Sequence, residues 1–228
     1  KRLKRQGKWF DCPDGIHPIK GEVVFEHDNG WTWQEMKTRK ELMFEGNIDG
    51  KGNGCLHHCV GSSSQYFNGI ASGRYRNFSL RTPDNKSILT MTIEYSNGRP
   101  SGISQLKGLK NRHAASPAGG GRVYGTIRRL GMKESDQDNF LDQEALLVEE
   151  FLREMGFPRS GSEYISVGNR LREIENRKRA AGRDGSPNQW PHYERTLAGY
   201  QRKDRGGRRR TRQQRPALRP ALRDWWNA

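Results

Sequence analysis

Asn97-Gly98 stands between two β-prone stretches, and both residues accept the positive φ that a two-residue hairpin turn demands. The dipeptide commits this part of the chain to an antiparallel strand pair. Upstream of it, Ile88, Met91, Ile93 and Tyr95 are interrupted by Thr90, Thr92 and Glu94, with the alternation clearest from Met91 onward. Pro83-Asp84-Asn85 marks the other end of that strand. Three strands are therefore expected, over 76–81, 87–95 and 102–106, as an antiparallel meander. A further strand is expected over 22–26, where Val23, Val24 and Phe25 form a short apolar run closed by Asp28-Asn29-Gly30.

Helical spacing appears on either side of the meander. Good helix formers over 34–45, with Met36, Lys40, Met43 and Phe44 near one face, predict a helix stopped at Gly46, with Trp31 and Trp33 before it as core anchors. A short helix is expected over 65–71. Leu146, Leu147, Phe151 and Leu152 place another over 143–155, ended by Gly156 and Pro158. A last one, over 162–179, sets Ile165, Leu171 and Ile174 against Arg170, Arg172, Arg177, Lys178 and Arg179. The fold class expected is α+β: a small antiparallel β-meander packed with helices, then a C-terminal helical segment and a basic, low-complexity tail. The division is a basic arm at 1–20, an α+β domain at 21–115, a linker at 116–135, a helical segment at 136–182 and an Arg-rich extended tail at 183–228. Gly119-Gly120-Gly121 reads as a hinge within the linker, since no Lys-Ser/Thr follows to make a phosphate loop.

Composition says more about partners than about fold. The 228 residues carry 41 Lys+Arg against 26 Asp+Glu, a formal charge of +15, with only 32% hydrophobic residues. A chain this basic with a mean hydropathy of -1.04 is expected to have one modest core and basic extensions. Arg202, Lys203, Arg205, Arg208, Arg209, Arg210, Arg212, Arg215, Arg219 and Arg223 face only Asp204 and Asp224. Guanidinium is planar, always charged and pairs with phosphate bidentately, so the preference for Arg points to nucleic acid, DNA or RNA. Tyr193, Tyr200, Trp225 and Trp226 add surfaces for stacking on bases. The competing reading is a solvated basic tail that docks on an acidic protein. No apolar run approaches the roughly 18 residues of a membrane span, so no membrane partner is expected. Three cysteines are too few for a disulfide scaffold, and an intracellular setting, bacterial cytoplasm or the inside of a virion, is expected. Because the sequence opens on Lys1, its start reads as trimmed or processed.

Cys55-Leu56-His57-His58-Cys59 is the one dense group of reactive side chains. Three readings stand: buried structural residues, a Cys59 nucleophile held as thiolate by a neighbouring imidazole, or a metal site. Zinc suits it poorly, because the second ligand pair would have to come from Cys12 with His17 or from a distant histidine. No motif identifies a cofactor.

Trp31-x-Trp33, Leu42 with Glu45-Gly46, Leu56-His57-His58-Cys59-Val60-Gly61, Ala71-Ser72-Gly73, Ser79-Leu80-Arg81, Thr92-Ile93-Glu94, Gln105-Leu106-Lys107-Gly108 and Asn111-Arg112 follow one another in an order that resembles the PcfJ-like proteins of conjugative plasmids and phages. The resemblance covers about residues 31–112. It implies a phage or mobile-element setting, and it makes His58, Cys59, Arg81, Glu94, Gln105, Lys107, Asn111 and Arg112 candidates for a shared site. The function expected is nucleic-acid binding in a phage or mobile genetic element, within a larger assembly of protein chains such as a virion. The tail residues 202–215 together with Lys107, Lys110 and Arg112 would meet the phosphates. The alternative is an enzyme in which Cys59, with His57 or His58, acts on nucleic acid or a nucleotide, and His58, Cys59, Arg81 and Glu94 would then form the catalytic group.

Overall fold

Among the described residues six strands hydrogen-bond in chain order: β1 (Glu22–Glu26), β2 (Thr32–Met36), β3 (Tyr75–Arg81), β4 (Ser87–Ser96), β5 (Arg99–Gly108) and β6 (Arg112–His113), each antiparallel to the next. The structure, a computed structural model, describes Cys12 and residues 15–46, 54–118 and 120–183. Asn97 and Gly98 close the β4–β5 hairpin with φ of 52° and 71°, the pair of left-handed conformations that suits the strand twist. The α+β class is as the sequence indicates. The helices are α1 (Arg39–Glu45), α2 (Ser64–Ala71), α3 (Gly120–Arg129), α4 (Gln137–Glu154) and α5 (Ile165–Arg183).

Strand pleating gives the sheet two chemically different faces. Trp33, Phe78, Leu80, Leu89, Met91, Ile93 and Leu106 project to one side and form the main core with Val123 and Ile127 of α3, Val167 of α5 and Phe140, Leu141, Val148 and Phe151 of α4. Phe151 is central. Its ring stacks on Trp33 at 4.5 Å and meets Phe78 at 5.3 Å and Phe157 at 5.7 Å, pairs that each contribute about 0.5–1.5 kcal/mol beyond area burial. Trp31 and Trp33 are thus core anchors. The other face is covered by α1, a 3-10 turn at Cys59–Gly61 and α2, through a smaller apolar group of Met36, Leu42, Val60, Tyr66 and Tyr75.

Besides strand and helix ends that run a few residues longer than expected, as in β5 and α4, three departures from the sequence-based expectation stand out. Residues 34–36 belong to strand β2, and α1 starts only at Arg39. Their helix propensity is a weak preference, overridden by pairing with β3, while Thr38 and Glu41 form a reciprocal capping box that fixes the helix start. The expected linker at 116–135 contains α3, whose Val123, Thr126 and Ile127 are buried at i, i+3, i+4 spacing. Core burial outweighs its glycines there. The segment at 136–182 shares the core of the sheet rather than standing apart. The arm at 1–11 and the tail beyond 183 lie outside the described residues.

Candidate functional site on the polar face of the sheet

Cross-strand register lines up polar residues on the second face. Gln34, Ser79, Thr90 and Lys107 form one row across β2–β5, and Met36, Asn77, Thr92 and Gln105 form the next. Over the first row hangs Glu45, in the last turn of α1 and fully buried. Backbone bonds from Leu56 N–H to the Glu45 carbonyl (2.8 Å) and from Cys55 N–H to the Phe44 carbonyl (2.8 Å) fasten the cysteine-histidine segment to that helix end. Gly46 is required by closeness, since a Cβ there would sit 2.5 Å from Gly61 N and 2.6 Å from the His58 carbonyl oxygen.

Glu45 is matched by donors on several sides. Ser87 and Thr90 hydroxyls donate to it at 2.8 and 2.9 Å, and Arg81 Nη2 and His17 Nε2 lie at 3.8 and 3.7 Å. Burial alone would raise its pKa, but the Arg81 charge and the other donors hold it below the usual carboxylate range. Arg81 is equally committed: Nη1 donates to the Ile19 carbonyl (2.6 Å), Gln34 Oε1 (3.0 Å) and Asn85 Oδ1 (3.3 Å), and Nε to Ser79 Oγ (3.0 Å). The Thr90 hydroxyl gives its proton to Glu45, so at 2.8 Å its oxygen accepts from His58 Nε2–H. His58 is therefore the neutral Nε2–H tautomer. Burial pushes its pKa down to about 4, against the opposing pull of Glu45. His17 is lowered in the same way, by burial and then by Arg81.

Cys59 stands at the open margin of this network. It is exposed, and the nearby Tyr66 hydroxyl has its pKa raised by burial and then by Cys59. Glu163, which also acts on Tyr66, holds Lys107 Nζ at 2.9 Å and receives Leu106 N–H at 3.3 Å, while His113 lies 3.7 Å away. On the floor of the polar face, Gln105 Oε1, Asn77 Nδ2 and His58 Nδ1 are buried without a hydrogen-bond partner among the described residues. A cleft of about 470 Å³ lined by Gln65, Asn68, Ser72, Arg74 and Tyr75 opens at the far end of α2 and is not lined by Cys59.

The expected catalytic group does not assemble. Arg81 is internal and paired with Glu45, whereas Glu94 lies opposite Tyr75 with Arg74 at 4.0 Å. Tyr75 and Arg81 are six positions apart on β3, roughly 20 Å of strand, so no cross-strand Arg81–Glu94 pair exists. Neither imidazole is hydrogen-bonded to Cys59: His58 is turned to Thr90, and His57 meets Arg129 at 3.5 Å. Of the expected phosphate contacts, Lys110 is exposed, Lys107 is engaged by Glu163, and Arg112 is interior. Arg112 forms a two-pronged pair with Glu144, one arm at 2.7 Å, and its guanidinium lies 5.6 Å from the Phe140 ring centroid, which leaves nothing to reach a phosphate. The tail residues Arg202–Arg215 lie outside the described region.

Cys12 and Cys55 form a disulfide, a single cross-link spanning 43 positions. Neither is then a thiolate ligand, and among the described residues no group of three or more His, Cys, Asp or Glu is placed to hold a metal ion. Among them, too, no helix is long and apolar enough to cross a membrane. Sequence reasoning missed Glu45, Thr90, Ser87, Tyr66 and Glu163; the one local sign was the threonine pair at Thr90 and Thr92 on the polar side of β4. Comparison with protein families, curated proteins and solved structures finds no match for the chain.

Proposed function

We propose that the chain is a nucleic-acid-binding protein of a phage or mobile genetic element, working among other protein chains in a large assembly such as a virion. The observation that carries this reading is the concentration of arginine over 202–224, ten Lys/Arg against two Asp, in a chain of net charge +15. The folded domain adds a supporting point. Its interior cations have matching carboxylates, Arg81 with Glu45, Arg112 with Glu144 and Arg170 with Asp142, so the excess charge belongs to the surface and the tail. The PcfJ-like order of residues 31–112 supports the mobile-element setting. Catalysis at Cys59 has less support, because its thiol is exposed but among the described residues has no hydrogen-bonded imidazole to act as base.

The test is oligonucleotide binding by fluorescence anisotropy across a salt series. Duplex DNA should give a log–log slope of about -0.9 per phosphate neutralised. Removal of residues 201–228 should flatten that slope by several contacts. Binding that is absent, or a slope unchanged by the deletion, would overturn the reading.

A further inference from the structure

Between Glu94 and Glu134 the chain carries eight Lys/Arg residues, Arg99, Lys107, Lys110, Arg112, Arg122, Arg128, Arg129 and Lys133, and not one Asp or Glu. Faces that serve only solubility intersperse both signs. Here two of the eight are neutralised by carboxylates from α4 and from the 3-10 turn before α5, Arg112 by Glu144 and Lys107 by Glu163. Lys110, Arg122 and Arg128 are exposed and form no salt bridge among the described residues.

The turn that carries Lys110 packs on α3, which carries Arg122 and Arg128. Burial of Val123, Thr126 and Ile127 turns Arg122, Tyr124 and Arg128 outward on α3. Gly125 lets α3 close on the 3-10 turn Leu109–Asn111, since a Cβ there would lie 2.9 Å from Leu109 Cδ2. Within that turn Lys110 takes φ 53° and Asn111 φ 61°, left-handed conformations that non-glycine residues adopt at a cost. The Lys110 N–H donates to the Leu56 carbonyl at 2.7 Å, which ties the turn to His57, itself at φ 54°. Arg129 reaches the same place, donating to the Cys55 carbonyl at 2.5 Å. His57 registers the cations nearby: burial, then Arg129 and Lys110, lower its pKa.

One exposed aromatic residue stands beside Arg128. Tyr124 is 41% exposed and lies four residues before Arg128, so ring and guanidinium are neighbours on one helix face. Stacking rings beside phosphate-pairing cations are what unpaired bases require, whereas a duplex keeps its bases stacked on one another.

We infer that α3 and the turn at Leu109–Asn111 form a second nucleic-acid surface, built into the folded domain and selective for single strands, with Lys110, Arg122 and Arg128 on phosphates and Tyr124 on a base. This deepens the function proposed above and rests on it. The full chain is titrated against labelled oligo-dT and oligo-rU on the order of 15 nucleotides long, and against a hairpin duplex of the same length. The dT and rU arms separate DNA from RNA as the source of the strand. The triple variant Lys110→Glu, Arg122→Glu, Arg128→Glu should weaken single-strand binding at least tenfold and reduce its salt slope by about 2, from roughly 0.7 per phosphate. Tyr124→Ala should weaken single-strand binding roughly fivefold or more and leave the duplex unaffected, with Tyr124→Phe restoring it. All four positions are exposed, and thermal melts confirm folding. Binding and slope unchanged in the triple variant would overturn the inference while leaving the proposed function intact. An equal loss on duplex and single strand in Tyr124→Ala would overturn the single-strand selectivity. Failure of the unaltered chain to bind any of these probes would instead overturn the proposed function.

Discussion

The two faces of the sheet are buried by different chemistry. On the apolar face, Phe151 and its neighbours gain stability from area and close packing, and several residues share each contribution. On the polar face, Glu45, Arg81, Thr90 and His58 depend on one-to-one matching of donors with acceptors. Hydrocarbon would cover that second face at least as stably, since a buried ion pair often contributes no more than its apolar replacement. What the polar face adds is register. A one-residue slip of β3 or β4 would drive Arg81 or Thr90 into the aromatic core and bring Phe78 or Met91 against Glu45.

Removing the centre of the apolar face should have the largest effect. Phe151→Ala deletes a ring in contact with Trp33, Phe78 and Phe157 and should cost about 3–5 kcal/mol in denaturant unfolding. A loss below ~1 kcal/mol would show that the core relaxes around the gap. On the polar face, Glu45→Gln should cost about 3 kcal/mol by leaving Arg81 buried without its counter-charge. Combining it with Arg81→Met should cost much less than the sum of the two single changes, and strict additivity would remove the ion pair from the account.

The smallest effect is the one that separates the faces by pH. His58 titrates near 4 when folded and near 6.5 when unfolded, so the unfolded chain binds the extra proton between those values. Its contribution is complete above pH 6.5 and declines as pH falls, by about 2 kcal/mol at pH 5. His17 and His57 are lowered too and act in the same direction. Urea midpoints at pH 7.5 and pH 5 measure the loss, and His58→Asn should flatten its slope; an unaltered slope would exclude His58 as the cause.

The meander was legible because period-two patterning and Asn97-Gly98 are local signals, and the same holds for α2, α4 and α5. Residues 34–36 were misread because their side chains favour a helix until a partner strand is present. The helix α3 was hidden by its glycines, and only the core shows why Val123 and Ile127 hold it. Cys59 and His58 were conspicuous, but their surroundings were not. Nothing near Glu45 in the sequence tells that its partner is Arg81, or that Arg112 turns inward to Glu144 rather than outward to phosphate. Long-range pairing of like residue types is decided by topology.

The Cys12–Cys55 bond also determines how the domain carries a pull. Tension arriving through residues before Cys12 crosses the sulfur bridge and continues from Cys55. Strands β1 and β2 and helix α1 lie inside the covalent ring and bear none of that load. With the bond intact, a chain held by its two ends yields first somewhere after residue 55; with it reduced, β1 becomes the first strand to peel from the sheet edge.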